Sequence, residues 1–191
     1  MSLQPKIRLT LEEYLASECK AEYKSEYFNG EMFAMAGASE RHVLIVTNLV
    51  AELRRQLKRR PCTVHSTVLR VRVSPTGLYT SPDVVVVCGQ AQFADDQKDT
   101  LLNPTLIVEV LSEPTKDYDR GGKFEHYRTL TSLSEYVLID QDKYHVEHFV
   151  RQPENRWLLS ETNLLADTIH LSSIDCDLAL TEVYDKVEMP A

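Results

Sequence analysis

Asp83, Glu109 and Lys123 are the side chains of this 191-residue sequence whose types and spacing could together do chemistry. Glu109 lies inside an apolar run, Thr105 to Leu111, long enough for one buried strand. A carboxylate there must be paired, hydrogen-bonded or bound to a cation, because an unpaired buried charge is costly. Asp83 opens a second such run, Pro82 to Cys88. If the two strands pair antiparallel through the intervening loop, Asp83 falls opposite or diagonal to Glu109, and Val87 opposite Thr105. Carboxylates that close repel unless a cation sits between them, and hard oxygen ligands suit Mg²⁺ or Mn²⁺. On the next helix Asp119, Lys123 and Tyr127 share one face at spacing four. The long stem of Lys123 can return to the strand end. Two carboxylates, a metal and a lysine are the parts that phosphodiester hydrolysis needs. The metal lowers the pKa of water and neutralises developing charge; the lysine orients the attacking water or stabilises the phosphorane.

The elements that must position these residues are readable from the pattern. Thr10 with Glu13 is a capping box, which predicts a short helix from about Leu11 to Glu18. Tyr23 to Phe28, Asn29-Gly30 and Glu31 to Met35 predict a β-hairpin, with Glu26 in its first arm. Val46, Leu49, Val50, Leu53 and Leu57 form the apolar stripe of a long helix, Glu40 to Arg59. One turn back, that stripe reaches His42. Arg54, Arg55, Lys58, Arg59 and Arg60 crowd its last turns and suit the helix dipole. Val64 to Val73 is expected as one half-buried strand with Arg70 and Arg72 facing outward, and Thr80 to Cys88 as another. Gly89 to Asn103 reads as a mobile loop. A helix from about Lys116 to Leu130 follows the Glu109 strand. Glu135 to Asp140 is a strand, Tyr144 to Val150 pairs with Trp157 to Ser160, and a short helix starts near Thr181.

The whole chain sets bounds. Its length fits one domain over residues 1–191 with room for a core. No apolar run approaches a membrane span and the first ten residues lack a signal-peptide core, so a cytoplasmic location is expected. Cys19, Cys62, Cys88 and Cys176 are scattered without a Cys-x-x-Cys pair. That argues against a compact zinc site and predicts reduced thiols. The net charge of −8 argues against nucleic acid. From Glu161 onward, however, seven acids face one base, so −6 of the −8 sits in that tail and the rest of the chain is near balance.

Several pieces together carry a resemblance. They are Glu26-Tyr27-Phe28-Asn29-Gly30-Glu31, His42 on the following helix, and Ser81-Pro82-Asp83-Val84. Ile107-Val108-Glu109-Val110-Leu111-Ser112 and Asp119-x-x-x-Lys123-x-x-x-Tyr127 complete the set. In this order and spacing, over nearly the whole chain, the sequence resembles the PD-(D/E)XK nuclease superfamily, and within it the Uma-type branch of restriction-endonuclease-like proteins. The resemblance implies an α/β (α+β) fold: a mixed, curved central sheet flanked by the two helices, with an N-terminal hairpin and a C-terminal β extension. It implies metal-dependent cleavage of phosphodiesters, in DNA. Asp83 and Glu109 would hold Mg²⁺ or Mn²⁺, with the Val110 carbonyl as a further ligand. Lys123 would act on the nucleophile, and Glu26 and His42 would border the pocket. By analogy a homodimer would suit the cutting of two strands. The superfamily pattern has lysine two residues after the glutamate, where this chain has Leu111; in the Uma-type branch the role passes to Lys123.

Each residue also has a structural reading. Asp83 could be a strand-start residue, Lys123 a solvated helix lysine, His42 a core histidine, and Asp119 a partner for Lys123 or Arg120. His145 and His148 face opposite sides of a strand and make a poor metal pair. Ser112 lacks a nucleophile-elbow context, and Gly121-Gly122-Lys123 lacks the rest of a phosphate loop. The competing function is a nuclease-like fold kept as a nucleic-acid- or partner-binding module. A third is a hydrolase of a small phosphorylated molecule, which a deep narrow pocket would favour; an open basic cleft would favour DNA.

Overall fold

The computed structural model describes residues 8–18, 20–35, 37–66 and 69–190. Cys19 and residues 67–68, on which parts of the reading above fall, lie outside them. Helix α1 (Leu11–Glu18) begins as the capping box requires: the Thr10 amide and hydroxyl both donate to Glu13, and the Glu13 amide donates back to Thr10 Oγ1. Strands β1 (Ser25–Phe28) and β2 (Glu31–Ala34) form the hairpin, turned by Asn29 and Gly30, both at positive φ. The long helix is α2, Glu40–Leu57. Ser39 caps it, and it buries Ile45, Val46, Leu49, Leu53 and Leu57.

Two expected strands are each split in two. Val64 to Val73 divides into β3 (Cys62–Ser66) and β4 (Arg70–Val73), which lie in different sheets. Arg70 does not face outward: it is buried against Asp99 and Thr100. Thr80 to Cys88 divides into β5 (Leu78–Thr80) and β6 (Val84–Cys88). Pro82 has no N–H for a ladder, so Ser81 to Asp83 become the passage between sheets. The expected loop after Cys88 contains a short strand, β7 (Thr100–Leu101), paired parallel with β4.

The mixed sheet has six strands in the order β11-β10-β9-β8-β6-β3. Its members include β8 (Leu106–Leu111), β9 (Glu135–Asp140), β10 (Val146–Arg151) and β11 (Trp157–Thr162), and only β8 and β9 are parallel. A second sheet, β2-β1-β5-β4-β7, contains the N-terminal hairpin. The C-terminal extension is the pair β12 (Thr168–Leu171) and β13 (Cys176–Ala179), followed by the last helix (Leu180–Val183).

Side chains alternate along the central strands and so feed two cores. Val84, Val86, Leu106 and Val108 pack with α2 and the C-terminal extension. Val85, Val87, Ile107, Leu111, Tyr127 and Tyr136 pack on the other face. Cys62 and Cys88 are cross-strand neighbours, with Cα atoms 4.0 Å apart, and form a disulfide. This corrects the expectation of reduced thiols: the β3–β6 pairing, not the spacing in sequence, brings them together. Cys176 is free and buried. Among the described residues, no helix is long and apolar enough to cross a membrane.

Candidate functional site

The ladder between β6 and β8 pairs Val84 with Val108. One step further along that register sets Asp83 against Glu109, the arrangement the antiparallel reading predicts. The backbone then locks the two acids together. The Asp83 amide donates to Glu109 Oε2 at 3.3 Å, and the Val110 amide donates to Asp83 Oδ2 at 2.8 Å. His42 Nε2 lies 2.9 Å from Asp83 Oδ1. His42 reaches that point from the first turn of α2, whose cap residue Ser39 is itself bonded to Gln141 at 2.6 Å.

Lys123 comes from the opposite side. The helix expected over Lys116 to Leu130 is three short pieces: α3 (Lys116–Tyr118), a π-helical turn (Asp119–Lys123) and α4 (Phe124–Tyr127). Gly121 and Gly122 make a regular helix costly here, and single π-turns concentrate at functional sites. The turn is held at both ends. Tyr136 donates to the Asp119 carbonyl at 3.0 Å, and Arg120 donates to Glu147 at 2.6 Å. A Cβ at Gly122 would lie 3.0 Å from the Tyr118 ring, which would have to shift to admit it.

From this turn the Lys123 ammonium lies 3.0 Å from Glu26, 3.0 Å from Glu109 and 3.3 Å from Asp119. All four side chains are buried. Two residues that sequence reasoning gave no role, or only a shared face, complete the cluster. Thr80 donates to Glu26 at 2.6 Å, and Tyr127 donates to Glu109 at 2.8 Å. Thr80 immediately precedes Ser81-Pro82-Asp83, which is the only sequence signal that could have marked it. Leu111 shares the strand face of Glu109 two residues on and is buried in the core. Lys123 delivers its ammonium to that same face of the sheet from a different element.

The electrostatics follow from burial and crowding. Burial pushes the Glu109 carboxyl up to about 8; Lys123 opposes the rise, and the charges of Asp83 and Asp119 reinforce it. Burial also raises Asp119, against the pull of Lys123. Burial alone would lower the Lys123 ammonium, but Glu109, Glu26 and Asp119 overcome it and hold it well above its usual value. Lys123 is therefore a fixed cation and cannot serve as a general base near neutral pH. Four carboxylates face this one ammonium and His42. The excess negative charge and the all-oxygen donor set are what a hard divalent ion requires. Asp83 and Glu109 fit that role.

Asp83, Glu109, Val110, Lys123, Glu26 and His42 all line one cleft of about 1440 Å³. Elsewhere, His145, Glu147 and Glu161 bring possible ligand atoms within 4.8 Å of one another. There the protein supplies its own cation, Arg120, and Asn163 engages His145, while His148 turns away to Glu135.

The profile of the Uma2 family, described as "Putative restriction endonuclease", matches residues 11–181. The chain belongs to the Uma2 family. Two curated proteins of Synechocystis sp. (strain ATCC 27184 / PCC 6803 / Kazusa) are similar to this Uma2 chain. Uncharacterized protein sll1609 is 38% identical over 153 residues, covering 80% of this chain and 86% of that protein. Uncharacterized protein slr1290 is 33% identical over 179 residues, covering 93% and 92%. Among solved structures, a protein described as a putative nuclease belonging to DUF820, from Anabaena variabilis ATCC 29413, matches with a TM-score of 0.73 at 17% identity. The match covers 94% of this Uma2 chain and 99% of that one, and shows a shared restriction-endonuclease-like fold.

Proposed function

We propose that this Uma2 protein is a Mg²⁺- or Mn²⁺-dependent endonuclease that hydrolyses phosphodiester bonds in DNA. One observation carries the reading: Lys123 Nζ stands 3.0 Å from Glu109, whose neighbour across the ladder is Asp83, in a cleft with excess carboxylates. Asp83 and Glu109, with the Val110 carbonyl, would hold the ion. A bound divalent ion supplies Lewis acidity and positive charge at the scissile phosphate.

The protein's own groups do the rest. Lys123, a cation held by three carboxylates, would act through its field to stabilise negative charge that develops on the phosphoryl oxygens. Glu26, Asp119 and Tyr127 keep Lys123 and Glu109 in place. The Asp83 carboxylate accepts from His42 Nε2 and fixes the imidazole at the cleft wall. The Val110 and Asp83 amides set the angle of the two carboxylates, so the pair needs little reorganisation.

The test is nicking of supercoiled plasmid by purified protein with Mg²⁺ or Mn²⁺. Wild type should nick, and Asp83→Ala and Glu109→Ala should each remove the activity. Equal nicking by both variants would assign the activity to a contaminant and sink the proposal.

A further inference from the structure

Taking the endonuclease reading as its base, we infer that the substrate is an unpaired, single-stranded stretch of nucleic acid, gripped through its bases at the cleft wall rather than through a duplex backbone. The lining of the cleft argues this in three ways.

The first is charge. Proteins that grip a duplex do so by neutralising phosphates with Lys and Arg, at a charge density of about one per 1.7 Å of axis. Among the described residues, seven carboxylates but three Lys or Arg side chains line this cleft. Of those three, Lys123 is bound by Glu26, Glu109 and Asp119, and Arg41 is bonded to Asp142 at 2.6 Å. The open basic cleft that grips a phosphate backbone, in a duplex or a single strand, is not the one present, so the grip has to fall on the bases.

The second is the wall. Four of the eight large apolar side chains exposed on the described surface line this cleft: Tyr23, Phe33, Val43 and Tyr118. Tyr23 is 80% exposed and Phe33 48%. Phe33 sits on β2, the edge of its sheet, and Tyr118 on α3 beside the π-turn that carries Lys123. Exposed aromatic rings next to a phosphodiester-cutting site are stacking platforms for bases. A duplex hides its base faces, and an unpaired strand presents them.

The third is size. Pockets for small molecules run to about 300–1,000 Å³, and this cleft, at about 1440 Å³, exceeds that range. It suits several linked nucleotides better than one small phosphorylated molecule.

The experiment compares fluorescent oligonucleotides of one sequence as single strand and as duplex, with Mn²⁺. It scores cleavage for wild type, Glu109→Gln, Tyr23→Ala and Phe33→Ala, and measures binding by anisotropy with Glu109→Gln alone and combined with each alanine change. Tyr23 and Phe33 are exposed, so their replacement leaves the core intact. The single strand should be cut at least tenfold faster than the duplex. Each alanine change should weaken single-strand binding about tenfold and leave duplex binding unchanged. Faster cutting or tighter binding of the duplex overturns the inference. So does unchanged single-strand affinity in both alanine variants, or a shift from dimer to monomer in those variants on a sizing column, which would make the wall a contact between copies. If wild type cuts nothing but Glu109→Gln grips the single strand through Tyr23 and Phe33, the catalytic reading fails and the ligand assignment stands.

Discussion

Glu109 and Glu135 lie on neighbouring parallel strands, β8 and β9, and both are buried, yet they point to opposite faces of the sheet. Glu135 faces the C-terminal extension. It accepts from the Ser172 amide at 2.9 Å, the Ser172 hydroxyl at 2.7 Å and the Ser173 hydroxyl at 2.6 Å, with His148 at 3.5 Å. Burial would raise its carboxyl, but the nearby His148 imidazole and hydrogen bonds from Ser173 and Ser172 hold it below its ordinary range. Glu109 also has partners, namely Lys123, Tyr127 and the Asp83 amide. Its carboxyl nevertheless rises to about 8, because it is buried beside Asp83 and Asp119. Burial is the largest push at both sites; the partners of Glu135 outweigh it, whereas at Glu109 Lys123 does not, and the charges of Asp83 and Asp119 add to it. A carboxylate answered by neutral donors and one histidine stabilises a fold. On the proposed reading, a carboxylate buried beside others of its kind is the one that would take a cation.

The sharpest way to break this contrast is Lys123→Met. It removes the one buried ammonium facing Glu26, Glu109 and Asp119. Nuclease activity should fall at least about 100-fold, and unfolding in urea should show a loss of about 3 kcal/mol or more. A variant as stable and active as wild type would mean the cluster is not organised around that charge. Next comes Glu135→Ala, which strands two serines and His148. It should cost about 3 kcal/mol while activity per folded molecule stays at the wild-type level; a loss of activity without a loss of stability would erase the distinction between the two faces.

A pH series sharpens the same contrast. The depressed carboxyl of Glu135 contributes stability that is complete above the ordinary glutamate value and is lost as pH falls through its folded value. The gap in Tm between wild type and Glu135→Gln should therefore hold steady from neutral pH to about pH 5 and close below about pH 4. A gap that widens on acidification would contradict the hydrogen-bonding account. The smallest effect is expected from Tyr127→Phe, which deletes only the hydroxyl donating to Glu109. It should cost about 1 kcal/mol, read from the same urea curves, and a neutral result would show that Lys123 alone satisfies that oxygen.

Much of the positioning machinery was legible because it is local. The capping box at Thr10 and Glu13 and the Asn29-Gly30 turn specify their elements within a few residues. Asp83 and Glu109 could be paired because Asp83 opens one apolar run, Glu109 lies near the far end of the next, and an antiparallel return puts them opposite or diagonal. What escaped depends on contacts between distant segments. The split at Ser81 to Asp83 reflects a passage between two sheets that no single run of residues announces. The Cys62–Cys88 bond depends on β3 lying at the sheet edge beside β6. The π-turn was hidden because Gly121-Gly122 signals weak helix without saying how the backbone reorganises. Yet Asp119, Lys123 and Tyr127 still share a face, so the placement of Lys123 survived that error.

The central claim is that Glu109 is kept for chemistry and Glu135 for the fold, and one paired measurement tests it most directly. Wild type, Glu109→Gln and Glu135→Gln are assayed side by side for Mn²⁺-dependent plasmid nicking and for Tm. The account predicts that Glu109→Gln loses nicking and melts at or near the wild-type temperature, since a carboxyl raised to about 8 is already largely neutral near pH 7 and the amide replaces that form. It predicts that Glu135→Gln nicks normally and melts lower. Full nicking by Glu109→Gln, or a lower Tm for it than for Glu135→Gln, would contradict the account.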